Sequence, residues 1–204
     1  MLLLAICIRL TSKGNAFFSQ DRVGAGGRLF KVYKLRSMAH TASDKTGPSL
    51  TKLGDERITS VGRFMRKLKL DELPQFFNVL RGDMSLVGPR PKLPQYAALF
   101  NMPYRPGITG PATLAFHCEE DILRNVAASE LDRFYAREIK PVKARLDACY
   151  MCQATPVSDA RIVGATALGC LHLDPAIFRL PAALLQTRTT ISNAVPLKST
   201  SRTA

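Results

Sequence analysis

The sequence predicts an α/β fold: a helix-rich single domain with a small β-hairpin or sheet. Residues 16–23 and 28–38 alternate in polarity, as half-buried strands do, and the glycine-rich segment 24–27 between them is typical of a turn. Farther along, apolar residues recur at helical spacing in several segments. With 204 residues, 46% of them hydrophobic, the chain can bury the core of one domain with an accessory segment, which argues against wholesale disorder.

The charge of the chain favours an anionic partner. Lysine and arginine exceed the acidic residues by 13, and the isoelectric point is about 9.9. Nucleic acid, an acidic lipid surface and phosphorylated substrates all fit this excess. A basic nucleic-acid-binding protein is therefore an alternative, but the sequence has no aromatic-rich basic strand, recognition helix or zinc pattern, so no nucleic acid is expected.

The five cysteines form no regular pattern, which argues for a reducing compartment and against a disulfide scaffold. Cys149 and Cys152 have the spacing of half a zinc site, but no second pair has metal-ligand spacing. We therefore expect these two side chains on a buried helix face.

The apolar run at residues 2–10 is shorter than the roughly 20 residues that cross a bilayer, and it lacks the basic start and cleavage site of a signal peptide. We expect either a buried strand or the end of a membrane-dipping helix. Residues 40–56, which are polar, are predicted to form a loop.

A helix is predicted after Thr59 or Ser60, either of which can cap it. Its apolar stripe consists of Val61, Phe64, Met65 and Leu68. Its opposite face carries Arg63, Arg66 and Lys67. This basic face is either solvated or a surface that docks on lipid headgroups.

Two adjacent carboxylates, Asp71 and Glu72, stand before the next apolar helical run. Asp71 fits the N-cap of a helix, with Pro74 tolerated in the first turn. The same position also favours an ionised carboxylate that acts as a nucleophile or metal ligand, because the helix dipole stabilises the anion. The local sequence does not decide between these two roles.

Four cations are candidates for phosphate binding. Lys34 and Arg36 share one face of the predicted second strand, where they form either a diphosphate clamp or a solvated edge. Arg90 is held between two prolines, and Arg105 precedes a similar rigid Pro-Gly turn. Immobilised guanidinium groups suit phosphate recognition.

Toward the C-terminus, helices are predicted at 119–123, 129–139 and 142–153, with a break or kink at Pro141. A last helix is predicted from a cap at Ser158 and Asp159 to about Gly169. Residues 171–204 have no clear period and are expected to form a loosely ordered tail.

Five motifs occur in series along the chain. They are FFSQDRVG at 17–24, YKLRSM at 33–38, DELPQ at 71–75, NVLRGDMSLVGPRP at 78–91 and RPGITG at 105–110. On these motifs, the chain resembles the bacterial sugar transferases, small monotopic phosphoglycosyl transferases that act on undecaprenyl phosphate. The resemblance covers about residues 13–169 and implies a catalytic domain at 13–170, after an N-terminal membrane-associated segment at 1–12.

The resemblance implies transfer of a phosphosugar from a nucleotide diphosphate sugar to polyprenyl phosphate, the first step of exopolysaccharide, lipopolysaccharide or glycoconjugate synthesis. It makes Asp71 the nucleophile of a covalent aspartyl-phosphosugar intermediate, and Glu72 a Mg²⁺ ligand or proton carrier. Arg90, Arg105, Lys34 and Arg36 would bind phosphates. The implied location is the cytoplasmic face of the bacterial inner membrane, against anionic inner-leaflet lipids.

The chain also departs from the family pattern. Members usually begin with a longer hydrophobic helix that is broken near its middle, whereas only residues 2–10 correspond to it here. We therefore also consider an inactive truncated remnant of a transferase. Residues 111–114 read Pro-Ala-Thr-Leu where many members carry Leu-Ala-Gln-Val, a subfamily variation expected to bear on substrate choice.

Overall fold

The architecture is that of a helix-rich α/β protein with two small sheets. The computed structural model describes residues 1–39, 55–94, 103–117, 119–123 and 126–170. Its α-helices are α1 (Leu2–Thr11), α2 (Ser60–Lys67), α3 (Gln75–Leu80), α4 (Pro111–Ala115), α5 (Glu119–Ile122), α6 (Leu131–Phe134), α7 (Lys140–Met151) and α8 (Pro156–Cys170). Its strands are β1 (Phe17–Val23), β2 (Leu29–Leu35), β3 (Ser85–Val87) and β4 (Gly107–Thr109). The predicted fold class is confirmed.

Strands β1 and β2 form the predicted antiparallel hairpin, in a register that pairs Phe17 with Leu35 and Val23 with Leu29. The turn between them contains Gly26 and Gly27 with φ of 62° and 76°, left-handed values that glycine adopts without steric cost. The glycine-rich segment is thus a turn, as predicted.

The hairpin packs on α1 and α2 through a buried cluster formed by Ile8, Ala16, Leu35 and Met65. Residues 2–10 form a helix, so the strand alternative for this run is wrong. Phe64 was predicted to lie in the apolar stripe of α2, but its side chain is exposed. At about 100° per residue Phe64 points well away from Met65, the buried centre of this helix. The part of the chain that the structure describes contains no helix long and apolar enough to cross a membrane.

The packing of α2 on the end of the hairpin requires glycine at position 62. A Cβ atom added to Gly62 would lie 1.9 Å from the carbonyl oxygen of Ser37, which also accepts a hydrogen bond from the Thr59 amide at 3.1 Å. We expect Gly62→Ala to lower the free energy of unfolding by about 3 kcal/mol, because backbone must move. Urea denaturation measures this. Gly169→Ala is the matched control: among the described residues a Cβ at this position meets nothing within 4 Å, and the change should raise stability by about 0.5–1 kcal/mol. Equal changes in the free energy of unfolding for the two variants would contradict the close approach of position 62 to the Ser37 carbonyl.

Strands β3 and β4 are parallel, with Ser85 opposite Gly107 and Val87 opposite Thr109. Just beyond β3 the amide of Gly88 donates to the carbonyl of Thr109 at 2.9 Å, and the Gly107 amide donates to that of Pro89 at 2.9 Å. This pairing holds the turn at residues 88–91 firmly in place. It also brings together the two rigid turns predicted from the sequence, the one around Arg90 and the one that follows Arg105.

The C-terminal helices form a second core whose buried members are Ala112, Phe116, Leu123, Leu131, Ile139 and Leu146. The predicted break at Pro141 is a change of hydrogen-bonding pattern: a π-helical turn at Tyr135–Ile139 precedes α7, and Pro141 lies in the first turn of α7. Cys149 and Cys152 are exposed, so the expectation of a buried helix face for them is wrong. Leu146 and Tyr150 occupy the buried face of α7 instead.

Helix α8 begins at Pro156, ahead of the cap predicted at Ser158 and Asp159, because Thr155 caps it. The hydroxyl of Thr155 accepts from the Ser158 amide at 3.1 Å, and the Thr155 amide donates to the Ser158 hydroxyl at 2.8 Å. The predicted tail at 171–204 and most of the predicted loop at 40–56 lie outside the described residues. The boundaries at 12 and 170 stay predictions.

Candidate active site

Asp71 and Glu72 lie in a single 3₁₀ turn, Leu70–Glu72, between α2 and α3. The predicted helix therefore begins later than Asp71, at Gln75. Lys69, just before the turn, has φ of 56°, a left-handed conformation that costs a non-glycine residue about 1 kcal/mol or more. Both carboxylates of the turn are buried, with 8% of Asp71 and 7% of Glu72 exposed.

Glu72 is the centre of an ion-pair cluster. One oxygen of its carboxylate, Oε1, accepts from Nζ of Lys34 at 2.9 Å and from a guanidinium nitrogen of Arg90 at 2.6 Å. Burial on its own would raise the pKa of Glu72, but the positive charges of Arg90 and Lys34 outweigh it and hold the pKa well below its usual range. Glu72 is therefore ionised at neutral pH, and it holds two of the four predicted phosphate-binding cations, Lys34 and Arg90, side by side.

Asp71 has a different environment. Its Oδ1 is buried and has no hydrogen-bond partner among the described residues. Neither the 3₁₀ turn nor α3 receives a side-chain cap, so the capping role considered for Asp71 is wrong. Burial and, next, the negative charge of Glu72 raise the pKa of Asp71, while Lys34, Arg66 and Lys69 oppose that rise. An unpaired buried carboxylate is costly, and such costs are typical of reactive groups.

Asn78 joins the carboxylate segment to the hairpin, a role that sequence reasoning missed. The side chain is fully buried; its Oδ1 accepts from the Tyr33 amide at 3.2 Å, and its Nδ2 donates to the Lys31 carbonyl at 2.7 Å. These bonds fix β2 against α3 and so place Lys34 within reach of Glu72. An asparagine within a short apolar helical run was the signal available in the sequence.

We expect Asn78→Ala to lower the free energy of unfolding by about 2–3 kcal/mol, because the Tyr33 N–H and the Lys31 carbonyl both lose their partner. Chemical denaturation measures the change. Asn15→Ala, the same substitution at an exposed position, should have almost no effect. An unfolding curve for Asn78→Ala that superimposes on that of Asn15→Ala would disprove the bridging role.

A small cleft opens beside the Glu72 cluster. Its walls consist of Phe18, Gln20, Arg22, Val32, Lys34, Gln75, Arg90 and Pro91. Phe18 and Lys34 are opposite each other in the hairpin, as are Gln20 and Val32, so a single face of the two strands forms one wall. Arg22 belongs to the same face and was not identified from the sequence, although strand periodicity would have placed it there.

The structure does not bring the other two predicted phosphate-binding cations into this cleft. Arg36 is buried and donates to the Lys13 carbonyl at 2.6 Å and to the Ser12 carbonyl at 2.9 Å, holding the end of α1. Strand β2 ends at Leu35, so the strand alternation that would align Arg36 with Lys34 does not extend to it. Arg105 is exposed and borders a separate, wider groove between α3, β3 and α8.

The residues of the turn fit a Mg²⁺ ion held mainly by its substrate. Among the described residues, no three Asp, Glu, His or Cys side chains cluster as a complete metal site. Mg²⁺, however, commonly takes one or two carboxylates and completes its shell with substrate phosphates and water. Asp71 provides a buried oxygen without a partner, and Glu72 provides a neighbouring ionised carboxylate.

Comparison with known proteins finds sugar-phosphate transferases that are similar to this chain. The chain is 48% identical over 119 residues to a UDP-N-acetylgalactosamine-undecaprenyl-phosphate N-acetylgalactosaminephosphotransferase of Aeromonas hydrophila, covering 54% of this chain and 28% of the relative. A UDP-glucose:undecaprenyl-phosphate glucose-1-phosphate transferase of Caulobacter vibrioides is 47% identical over 121 residues, covering 54% of this chain and 44% of the relative. The Escherichia coli protein of the same name is 41% identical over 150 residues, with 66% and 31% covered.

The chain thus spans less than half the length of these three curated relatives. The family model named bacterial sugar transferase matches residues 1–172. That match includes the carboxylate turn, the hairpin and the Arg90 turn, and the chain therefore belongs to the bacterial sugar transferase family.

Proposed function

We propose that the chain transfers a phosphosugar from a nucleotide diphosphate sugar to undecaprenyl phosphate and so initiates the synthesis of an exopolysaccharide or glycoconjugate. The observation that carries the proposal is the buried Asp71–Glu72 pair, with Lys34 and Arg90 converging on Glu72 beside an open cleft. The names of the relatives support it, since they describe sugar-phosphate transfer to undecaprenyl phosphate.

Asp71 is the nucleophile in this proposal. One oxygen of its carboxylate forms a bond to the phosphorus that carries the sugar. The bond from that phosphorus to the bridging oxygen breaks, and the electron pair leaves on the nucleoside monophosphate. An oxygen of undecaprenyl phosphate then attacks the aspartyl phosphate, releasing the Asp71 carboxylate and forming the polyprenyl diphosphate sugar. Lys34 and Arg90 reduce the repulsion between two anions in both steps.

Glu72 has a supporting role in this scheme. Its charge holds Lys34 and Arg90 together at the edge of the cleft, where a diphosphate would meet both. Its lowered pKa keeps it ionised, which does not favour a role as proton donor. It is thus better suited to orienting cations than to transferring a proton.

Asp71 and Glu72 are also the residues that would hold Mg²⁺, together with the phosphates of the donor. The ion would supply positive charge to the diphosphate oxygens and stabilise the leaving phosphate. We expect excess EDTA to abolish turnover and added Mg²⁺ to restore it. Full turnover in the presence of excess chelator would contradict the requirement for a metal.

The protein is proposed to lie on the cytoplasmic face of the inner membrane, as a monotopic protein. Exposed apolar side chains support this docking: Leu2, Leu3 and Leu10 on α1, and Phe76, Phe77 and Leu80 on α3. The basic side chains of Arg63 and Lys67 on α2 are also exposed and suit anionic inner-leaflet lipids. Flotation with vesicles that contain phosphatidylglycerol tests the proposal. Equal flotation with neutral vesicles would remove the role of anionic lipid.

The test of the proposed function is the release of nucleoside monophosphate across a panel of UDP-sugars, with and without undecaprenyl phosphate. A productive donor should give continuous release with the lipid. Without the lipid it should give a burst of about one equivalent per protein, as a covalent intermediate accumulates. No release from any donor, combined with salt-sensitive binding of ordinary nucleic acid, would overturn the proposal.

A further inference from the structure

Arg22 is the third cation of the cleft and differs from the other two in its contacts. One nitrogen of its guanidinium donates to the side-chain oxygen of Gln20 at 2.6 Å, and another donates to the Pro91 carbonyl at 3.2 Å. Both partners are neutral. Lys34 and Arg90 share the carboxylate of Glu72, whereas Arg22 has no carboxylate partner among the described residues.

The charge of Arg22 is therefore poorly compensated where it stands. Burial and, next, the positive charge of Arg90 lower the pKa of Arg22 to about 10, while Glu72 acts in the opposite direction. Two guanidinium groups that repel each other across a cleft form a site that an anion would stabilise. A phosphate between them would relieve the repulsion and accept hydrogen bonds from both.

Along the hairpin, the backbone of Arg22 is well separated from that of Lys34, the residue that contacts Glu72. In the hairpin register Lys34, which contacts Glu72, is opposite Phe18, whereas Arg22 is opposite Phe30. Four residues along a strand separate these positions, a backbone distance of about 13 Å. A donor whose sugar-bearing phosphate lies at Asp71 would therefore extend its nucleoside end toward Arg22.

We propose that Arg22 binds the nucleoside-side phosphate of the donor and the nucleoside monophosphate that is released. The inference rests on the proposed function, since it takes the donor to be a nucleotide diphosphate sugar. When the bond between the sugar-bearing phosphorus and the bridging oxygen breaks, negative charge develops on that oxygen, which stays with the nucleoside phosphate. The Arg22 guanidinium neutralises that charge and donates hydrogen bonds to it.

A purely structural role for Arg22 is the competing interpretation, because its bond to Pro91 also steadies the turn that carries Arg90. The two roles differ in the half-reactions that they affect. A nucleoside-phosphate ligand acts only while the nucleotide is bound. A support for Arg90 acts in both half-reactions, including the discharge of the intermediate by undecaprenyl phosphate.

Chemical protection tests the proposal in the unaltered protein. The full chain is treated with phenylglyoxal with and without saturating uridine monophosphate, and modified arginines are identified by mass spectrometry. The nucleotide should protect Arg22 and leave Arg28, exposed at the tip of the same hairpin, equally reactive in both samples. Unchanged modification of Arg22 alongside protection of Arg90 would overturn the proposal.

Substitution provides an independent test, which decides between the ligand role and the structural role if phenylglyoxal does not modify Arg22 in either sample. Arg22→Gln should weaken binding of uridine monophosphate about 10- to 100-fold, and Arg22→Lys by less, because it keeps the charge. Arg28→Gln is the matched control and should bind as the wild type does. Discharge of the preformed intermediate by undecaprenyl phosphate should keep its wild-type rate in Arg22→Gln.

The outcomes separate this inference from the proposed function. If the wild-type chain binds uridine monophosphate and Arg22→Gln binds it equally well, Arg22 is not a ligand and the proposed function stands. If both half-reactions slow equally in Arg22→Gln and in Arg22→Lys, the structural role is correct. If the wild type neither binds the nucleotide nor reacts with any UDP-sugar, the proposed function fails and the role of Arg22 fails with it.

Discussion

Asp71→Asn is expected to abolish covalent labelling of the protein by a radioactive donor and to reduce turnover by about 1,000-fold or more, because an amide cannot attack phosphorus in place of a carboxylate. The fold should survive, since Oδ1 of Asp71 has no hydrogen-bond partner to lose. Labelling is measured by gel autoradiography after quenching in denaturant. Labelling that persists in the variant would show that the nucleophile is another residue.

The same variant should be more stable than the wild type at neutral pH. The folded-state pKa of Asp71 is raised above its ordinary value of 3.8, mainly by burial, so ionisation of this group disfavours the folded state. The gain in stability should be complete above the folded-state pKa and vanish as the pH falls below about 3.8, where the group is protonated in both states. A protein that gains stability when it loses activity is typical of a strained functional site.

Asp21→Asn is the matched control for both measurements. Asp21 lies on the opposite face of the hairpin from the cleft and forms an exposed ion pair with Lys31. Such pairs contribute about 1 kcal/mol or less, so this variant should keep both labelling and stability close to those of the wild type. A loss of labelling in Asp21→Asn would indicate that the effect of Asp71→Asn is not specific to the nucleophile.

Local patterns were enough to predict the hairpin and most helices. The alternation in 16–23 and 28–38 depends only on the period of a strand, and the glycine turn between them on backbone sterics. The pattern is wrong at Phe64, because an apolar residue at helical spacing does not have to face the core. Its helix turns only one narrow stripe toward the hairpin.

The arrangement of the site depends on contacts between residues that are far apart in the sequence, which local patterns do not predict. The strand context of Lys34 and the proline context of Arg90 predict phosphate-binding cations, but nothing in their spacing indicates that both reach one oxygen of Glu72, 38 and 18 residues away. Arg36 lies outside the cleft for a local reason, because strand β2 ends at Leu35, one residue before it. Asn78 and Arg22 were missed because their roles exist only when the hairpin packs against the carboxylate segment.

Glu72→Gln is expected to lower both the stability of the protein and its turnover. Glutamine has nearly the same shape but leaves Lys34 and Arg90 without a counter-charge. Removing one member of a buried ion pair costs roughly 3–5 kcal/mol. The Arg90 side chain is 45% exposed, so solvent screening reduces the expected loss in free energy of unfolding to about 2 kcal/mol. Turnover should fall about 100-fold or more, because the cations that face the diphosphate lose their fixed positions.

The pH dependence distinguishes this electrostatic cause from a packing defect. The folded-state pKa of Glu72 lies below its ordinary value of 4.5, so its contribution to stability is complete above about pH 4.5 and is lost as the pH falls toward the folded-state pKa. The difference between wild type and Glu72→Gln should therefore be constant near neutrality and shrink in acid. Glu56→Gln, at an exposed position, should differ little from wild type at any pH. A difference of the same size at pH 3 and pH 7 would mean that glutamine disturbs packing and that the ion pairs contribute little.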